Sequence, residues 1–121
     1  MAELHESLIV SYRKSIFRRG FKESKSPMPT YRPDIFAQKT SRNGSILEQI
    51  IVEAEIKSTL FSEHTAHQLL QMQEYIEHQK RKRIRVRGKL LIPRGKQLRA
   101  QAKSLLESLF PEGTKIGILQ R

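Results

Sequence analysis

Residues Tyr31–Lys57 read YRPDIFAQKTSRNGSILEQIIVEAEIK, and this stretch decides the fold. Tyr31–Gln38 is extended in character, Ser41–Ser45 has the chemistry of a tight turn, and Ile46–Ile56 is rich in β-branched residues. The stretch therefore predicts a β-hairpin.

Alternation along the second predicted strand separates two faces, because successive side chains of a strand point to opposite sides. One face is polar and carries Glu55 and Lys57 together. The other face is apolar and should point to a core; it carries Ile50, Val52, Ala54 and Ile56.

The turn sets which residues of the hairpin face each other, since paired residue numbers in an antiparallel hairpin have a constant sum. A two-residue turn at Asn43-Gly44 gives a sum of 87 and places Asp34 opposite Glu53. A turn one residue further along places Asp34 opposite Glu55. In either register, Asp34 lies beside the acidic end of the partner strand.

Apolar spacing predicts the remaining elements. Helices are expected over residues 2–19, 63–80 and 97–110, and strands over Ile84–Ile92 and Lys115–Leu119. A short strand is expected after Gly20, followed by a polar loop with two prolines. There is no internal repeat and no linker. The sequence predicts one α/β layered domain spanning residues 1–121.

Composition limits the classes of function. The 121 residues include 23 Lys and Arg against 12 Asp and Glu, a formal charge of +11, which attracts polyanions. The absence of cysteine excludes disulfides, thiolate zinc sites and iron–sulfur clusters. No apolar run has membrane-spanning length and no phosphate-binding loop is present, so neither a membrane nor a nucleotide cofactor is expected. A cytoplasmic location is expected.

The hairpin brings together carboxylates that are far apart in sequence. Carboxylates a few ångströms apart repel each other, which raises their pKa values unless a cation lies between them. Mg²⁺ binds one or two carboxylates together with water and phosphate oxygens, so Asp34 and Glu55 are candidate ligands. A neighbouring lysine, Lys57, would orient the attacking water and stabilise charge on the phosphate.

These residues resemble the motif of the PD-(D/E)xK nuclease superfamily: Pro33-Asp34, then Glu55-Ile56-Lys57. Gln71 and Tyr75 resemble the QxxxY motif of its RecB-like branch and are neighbours on one helical face. The resemblance covers residues 2–92. It implies a restriction-endonuclease-like three-layer core, α-β-β-β-α-β, extended here by the C-terminal helix and short strand.

The resemblance also implies roles for individual residues. Asp34, Glu55 and the Ile56 carbonyl would bind Mg²⁺, for which Mn²⁺ is expected to substitute. Lys57 would be the catalytic lysine, and Gln71 and Tyr75 would support the metal site or position DNA. Many members add a glutamate from the first helix, and here Glu6 is preferred to Glu3.

The implied substrate is DNA, cleaved by an endo- or exonuclease. Stand-alone members of this size include Holliday-junction resolvases, which act as dimers, so branched DNA and a homodimer are one expected subtype. Restriction-like or replication-associated cleavage is the competing subtype. A non-catalytic basic module that binds DNA or RNA is the alternative from another class.

Residues 80–89 contain seven basic side chains in ten. One interpretation is a basic surface that binds DNA phosphates near the catalytic site. The alternative is a solvated edge strand that charge protects from aggregation. The predicted DNA-binding residues are Arg81, Lys82, Arg83, Arg85, Arg87 and Lys89.

Overall fold

The computed structural model of the protein is an α/β structure, and it describes residues 2–26, 28 and 30–121, with side chains from Leu4 onward. Within these residues, three helices accompany one five-stranded sheet, in the predicted order. The elements are α1 Ala2–Arg18, β1 Lys22–Glu23, β2 Ile35–Thr40, β3 Ile46–Ala54, α2 Glu63–Arg81, β4 Arg85–Ile92, α3 Lys96–Leu109 and β5 Ile116–Gln120.

The sheet is mixed, and its strands follow the chain in the order β1-β2-β3-β4-β5. β1, β2 and β3 pair antiparallel, whereas β3 with β4 and β4 with β5 pair parallel through the crossover helices α2 and α3. The hairpin pairs Ile35 with Val52 and Lys39 with Glu48, so paired numbers sum to 87. This confirms the predicted register but not the predicted two-residue turn. Residues 41–45 connect the strands, and a bulge between Lys39 and Thr40 shifts the last pair to Thr40 with Ile46.

Each face of the sheet has its own buried core. On the α1 face, the core includes the apolar side chains that alternation predicted, Ile50, Val52, Ala54 and Ile56. On the opposite face, α2 and α3 contribute Leu69 and Leu105 to one core with Ile51 of β3. Residues of β3 with odd numbers therefore point toward α2.

α2 is fixed at its start and along its length. Its N-cap is Ser62, whose Oγ accepts a hydrogen bond from the Thr65 amide at 3.1 Å. Further along, α2 packs closely on β4, since a Cβ on Gly88 would stand 2.6 Å from Ile76 Cδ1 and 2.8 Å from Met72 Sδ. Glycine at this position permits the close approach of helix and sheet. Among the described helices, none is long and apolar enough to span a membrane.

Candidate functional site

A cleft of about 430 Å³ opens at the end of the sheet where β3 finishes and β2 begins. Several parts of the chain line it, including the turn at residues 56–62 that follows β3. The start of α1 contributes His5, the hairpin contributes Asp34, Glu53 and Glu55, and the first turns of α2 contribute Thr65 and Gln68. The cleft thus combines carboxylates with the N-terminus of a helix, whose backbone dipole favours negative charge.

Asp34 is tied to the end of β3. It directly precedes β2, and its Oδ2 accepts a hydrogen bond from the Ala54 amide at 2.8 Å. His5 Nε2 lies 3.5 Å from the same oxygen and donates to the Ala54 carbonyl at 2.8 Å. These contacts join α1, β2 and β3, so the position of Asp34 depends on all three elements.

Glu53 lies opposite Asp34 when the hairpin register is continued by one residue. Its side chain is 3% exposed and points toward the α2 side of the sheet. Burial, with a further contribution from the Asp34 carboxylate, raises the pKa of Glu53 to about 8. The Tyr31 hydroxyl donates a hydrogen bond to Glu53 Oε1 at 3.1 Å and opposes part of that rise.

Glu55 follows the last residue of β3 and continues the sheet ladder, because its amide donates to the Leu91 carbonyl at 2.9 Å. Burial raises the pKa of Glu55, and the neighbouring hydroxyls of Thr59 and Thr65 oppose this rise. The negative charge of Asp34 raises the pKa further. Asp34, Glu53 and Glu55 therefore interact electrostatically within one cleft.

Carboxylates gathered in this way can bind a hard cation or exchange protons with a bound molecule. Within the part of the chain that the structure describes, no group of three or more His, Asp or Glu side chains is arranged so that it could hold a metal ion. The cleft can still supply two carboxylate ligands, the number that Mg²⁺ commonly takes when water and phosphate complete its shell.

Lys57 does not lie in the cleft. The prediction that it shares a strand face with Glu55 is wrong, because β3 ends at Ala54 and Lys57 lies in an exposed turn. That turn forms because the Ile56 carbonyl accepts hydrogen bonds from the amides of Thr59 and Leu60, each at 3.0 Å. The Thr59 hydroxyl also donates to it, at 3.3 Å. The Ile56 carbonyl, which the resemblance made a metal ligand, is thus already occupied.

Glu6 points away from the cleft as well. Its side chain is 70% exposed and lies 3.9 Å from His5 Nδ1, on the outer side of that histidine. Residue 5 shares the inward face of α1 with Leu8, Ile9 and Tyr12, so His5 is the α1 residue that enters the cleft. The side chain of Glu3, the other candidate, lies outside the described residues.

The two residues of the QxxxY motif lie farther along α2. The Tyr75 hydroxyl is buried against the sheet, where it donates to Gln49 Oε1 at 2.8 Å and accepts from Gln79 Nε2 at 2.9 Å. Gln71 is half-buried and does not line the cleft. Gln68, one turn nearer the N-terminus of α2, does line it, and its Oε1 is buried without a hydrogen-bond partner.

The predicted DNA-binding residues are also remote from the carboxylates. Arg81 ends α2 and lies 13 residues, about 20 Å at 1.5 Å per residue, beyond Gln68, the last α2 residue that lines the cleft. Lys82 and Arg83 follow it in an exposed turn. The remaining three point to the α1 face of β4, the face opposite Glu53: Arg85, Arg87 and Lys89.

Sequence reasoning missed several polar side chains of the cleft, among them His5, Arg32 and Gln68. Helical spacing from Leu8 and Tyr12 would have placed His5 on the inner face of α1. Arg32 is two residues from Asp34, at the mouth of the same cleft. No sequence signal separates Gln68 from Gln71, because both lie on the side of α2 that faces the sheet.

Comparisons with protein-family models, with curated proteins and with solved structures found no match to this chain.

Proposed function

We propose that the protein is a metal-dependent nuclease that hydrolyses DNA phosphodiester bonds in the cleft. The observation that carries the proposal is the convergence of Asp34, Glu53 and Glu55. Each comes from the end of a strand, and the charge of Asp34 raises the pKa of the other two carboxyls. Grouping buried carboxylates opposes folding, so a cation in the functional state gives this arrangement a purpose.

Asp34 and Glu53 would hold Mg²⁺, or Mn²⁺ in its place, because their opposed positions in the register put two hard oxygen donors together. Such an ion, when bound, polarises a phosphate and acidifies a bound water. This assignment shifts the resembled motif by two residues. The glutamate is then Glu53, and the position that the family gives to lysine is held by Glu55.

Glu55 would act as the proton acceptor. Its raised pKa is closer to neutral pH, where a general base is most effective, and the Thr59 and Thr65 hydroxyls lie beside the carboxylate. The cation that the motif lacks would be Arg32, whose guanidinium lies at the mouth of the cleft and can bind a phosphate oxygen. His5 would hold Asp34 in position from α1.

The fold supports the same class. The order α1, β1, β2, β3, α2, β4 around a mixed sheet agrees with the α-β-β-β-α-β core of the PD-(D/E)xK family that the sequence resembles. We include a restriction-endonuclease-like core in the proposal. Beyond that core, α3 connects β4 to β5, and β5 adds a fifth strand to the sheet.

The test is a cleavage assay with Asp34→Asn. Asparagine keeps an oxygen to accept the Ala54 amide, so the variant should fold while losing a charged ligand. Plasmid, linear duplex and four-way-junction DNA are incubated with Mg²⁺, with Mn²⁺ or with EDTA. Wild type should cleave at least one substrate with metal, and the variant should lose on the order of 100-fold or more in rate.

Glu63→Gln is the matched control, since Glu63 is an exposed carboxylate in the first turn of α2 that does not line the cleft. It should cleave like wild type. Equal cleavage by wild type and Asp34→Asn would contradict the proposal. So would the absence of cleavage on all three substrates with either metal.

The second candidate is a non-catalytic DNA- or RNA-binding module. One observation favours it: Glu53 already accepts a hydrogen bond from Tyr31, and Asp34 already has Ala54 and His5 as partners. These partners partly satisfy the carboxylates without a cation. Binding of nucleic acid that is unchanged by metal, by EDTA and by Asp34→Asn, with no cleavage, would select this candidate.

A further inference from the structure

α1 covers only part of its face of the sheet. It lies over the apolar residues of β2 and β3, and the uncovered part, beside the N-terminal half of β4, carries cations. The register places Lys39, Glu48 and Arg85 side by side across β2, β3 and β4. We call the following group the basic face: Arg19, Lys39, Arg85, Arg87, Lys89 and Arg121.

Contacts with aromatic rings and glycines order several of these side chains. The guanidinium of Arg121 lies 5.7 Å from the Tyr12 ring centre, and that of Arg19 lies 5.6 Å from the Phe21 ring centre. Burial raises the pKa of Tyr12, while the charges of Arg19, Arg121 and Arg87 oppose that rise, so the three guanidiniums lie around one phenol. Lys89 extends along β5, because a Cβ on Gly117 would stand 3.1 Å from its Nζ.

Acidic partners balance little of this charge. Glu48 lies between two of the arginines, pairing with Arg87 and standing 4.0 Å from Arg85. Glu23, nearer β1, pairs with Arg13 of α1 at 2.7 Å. Neighbouring like charges on one sheet face destabilise it. Protection of a sheet edge does not explain the whole group. β5 pairs with β4 only from Gly88 onward, which leaves Arg85 and Arg87 on an open edge, but Lys89 lies within the sheet opposite Gly117.

We infer that the basic face binds the phosphate backbone of duplex DNA, at a surface separate from the cleft. A bound polyanion relieves the repulsion among these side chains, and the planar guanidinium matches the geometry of phosphate oxygens. Arg19 directly follows α1 while His5 lies near its start, so the two surfaces are about 20 Å apart along the helix. The choice of DNA as the polyanion rests on the proposed function.

The experiment measures binding of a labelled duplex by fluorescence anisotropy in EDTA, where cleavage cannot occur. The test variant is Arg85→Ala/Lys89→Ala/Arg121→Ala. The control variant, Arg94→Ala/Lys96→Ala/Lys103→Ala, removes the same charge from exposed residues on or beside α3. The substitutions in the test variant should raise Kd more than tenfold. They should also reduce the magnitude of the negative slope of log K against log salt by roughly 2 to 3, since each phosphate contact contributes about 0.9. The control should change Kd less than threefold.

Wild-type protein supplies a second measurement that needs no folded variant. Bound DNA should protect Lys39 and Lys89 from acetylation and leave Lys96 and Lys103 reactive. Equal loss of affinity in both triple variants, or protection confined to α3, would overturn the inference. Tighter binding of duplex RNA than of duplex DNA would overturn the choice of DNA. Because binding is measured without metal, DNA binding by the basic face without any cleavage would refute the proposed nuclease and leave this surface standing.

Discussion

The cleft and the basic face gather like charges by opposite means. In the cleft, Glu53 and Glu55 are buried, and burial raises the pKa of Glu53 to about 8. On the basic face, Arg19, Arg85 and Arg121 keep their charges exposed to solvent. Water screens the exposed cations, whereas the buried carboxyls change protonation instead. The behaviour of the cleft should therefore depend on pH and divalent metal, whereas binding at the basic face should depend on salt concentration.

The largest expected effect distinguishes two assignments of the catalytic residues. The sequence motif assigns Glu55 and Lys57, whereas the cleft favours Glu53 and Glu55. Glu53→Gln should reduce metal-dependent cleavage by on the order of 100-fold, because it removes a charged ligand while keeping an acceptor for Tyr31. Lys57→Ala should change the rate less than about threefold, since Lys57 is exposed in a turn outside the cleft. Both variants should bind DNA in EDTA like wild type.

Single-turnover cleavage and anisotropy measure these two effects. Loss of cleavage in Lys57→Ala with normal activity in Glu53→Gln would restore the assignment made from the sequence motif.

The second effect is a pH dependence of stability in metal-free protein. The pKa of Glu53 rises from an unfolded value of 4.5 to about 8 on folding, so between these values the unfolded state binds fewer protons. The free energy of unfolding should therefore be highest below pH 4.5 as far as this group is concerned, and fall as pH rises toward 8. At about 1.4 kcal/mol per pKa unit, a shift of this size corresponds to a fall on the order of 5 kcal/mol.

Urea denaturation at several pH values measures this fall, and Glu53→Gln should remove it. A wild-type profile that matches the variant from pH 5 to pH 8 would contradict the burial argument.

A smaller effect defines where the cleft ends. Tyr75→Phe should cost about 1 kcal/mol of stability, because Gln49 Oε1 loses the shorter of its two donors. Cleavage should be unchanged, since Tyr75 contacts the polar network under α2 and not the cleft. Chemical denaturation measures the loss of stability, and the plasmid assay measures cleavage. A variant of normal stability with impaired cleavage would return Tyr75 to the site.

The smallest effect concerns the start of α1. Glu6→Gln should leave cleavage within about twofold and stability within about 0.5 kcal/mol, as expected of an exposed side chain. His5→Ala should lower cleavage more than Glu6→Gln does, because it removes the contact with Asp34. Assay of the two variants side by side decides which α1 residue serves the site; a larger loss in Glu6→Gln would reverse the assignment.

Much of the fold follows from local patterns in the sequence. The β-branched run at Ile46, the turn chemistry around Asn43-Gly44 and the helical spacing predicted the elements. The predicted register is also right, although the connection has five residues and a bulge between Lys39 and Thr40 rather than a two-residue turn. These features were predictable because they depend on neighbours close in the chain.

The errors at the site have a common physical cause. β3 was expected to run to Ile56, with Lys57 on the same face as Glu55, but it ends at Ala54, and the Thr59 and Leu60 amides donate to the Ile56 carbonyl and turn the chain. The basic strand was expected near the carboxylates, but the parallel pairing of β3 and β4 turns Arg85 and Arg87 to the face opposite Glu53. Both outcomes depend on contacts between elements, which spacing within one element does not specify.

Gly88 gives the molecule a mechanical property. The helix that rests on this glycine at Met72 and Ile76 presents Thr65 to the cleft about two to three turns away. The contact of Met72 and Ile76 with Gly88 is the point about which α2 would tilt, and the first turns of α2 lie well beyond that point. A methyl group added at residue 88 would push α2 away from β4. The opening of the cleft would then change, although no residue that lines the cleft had been substituted.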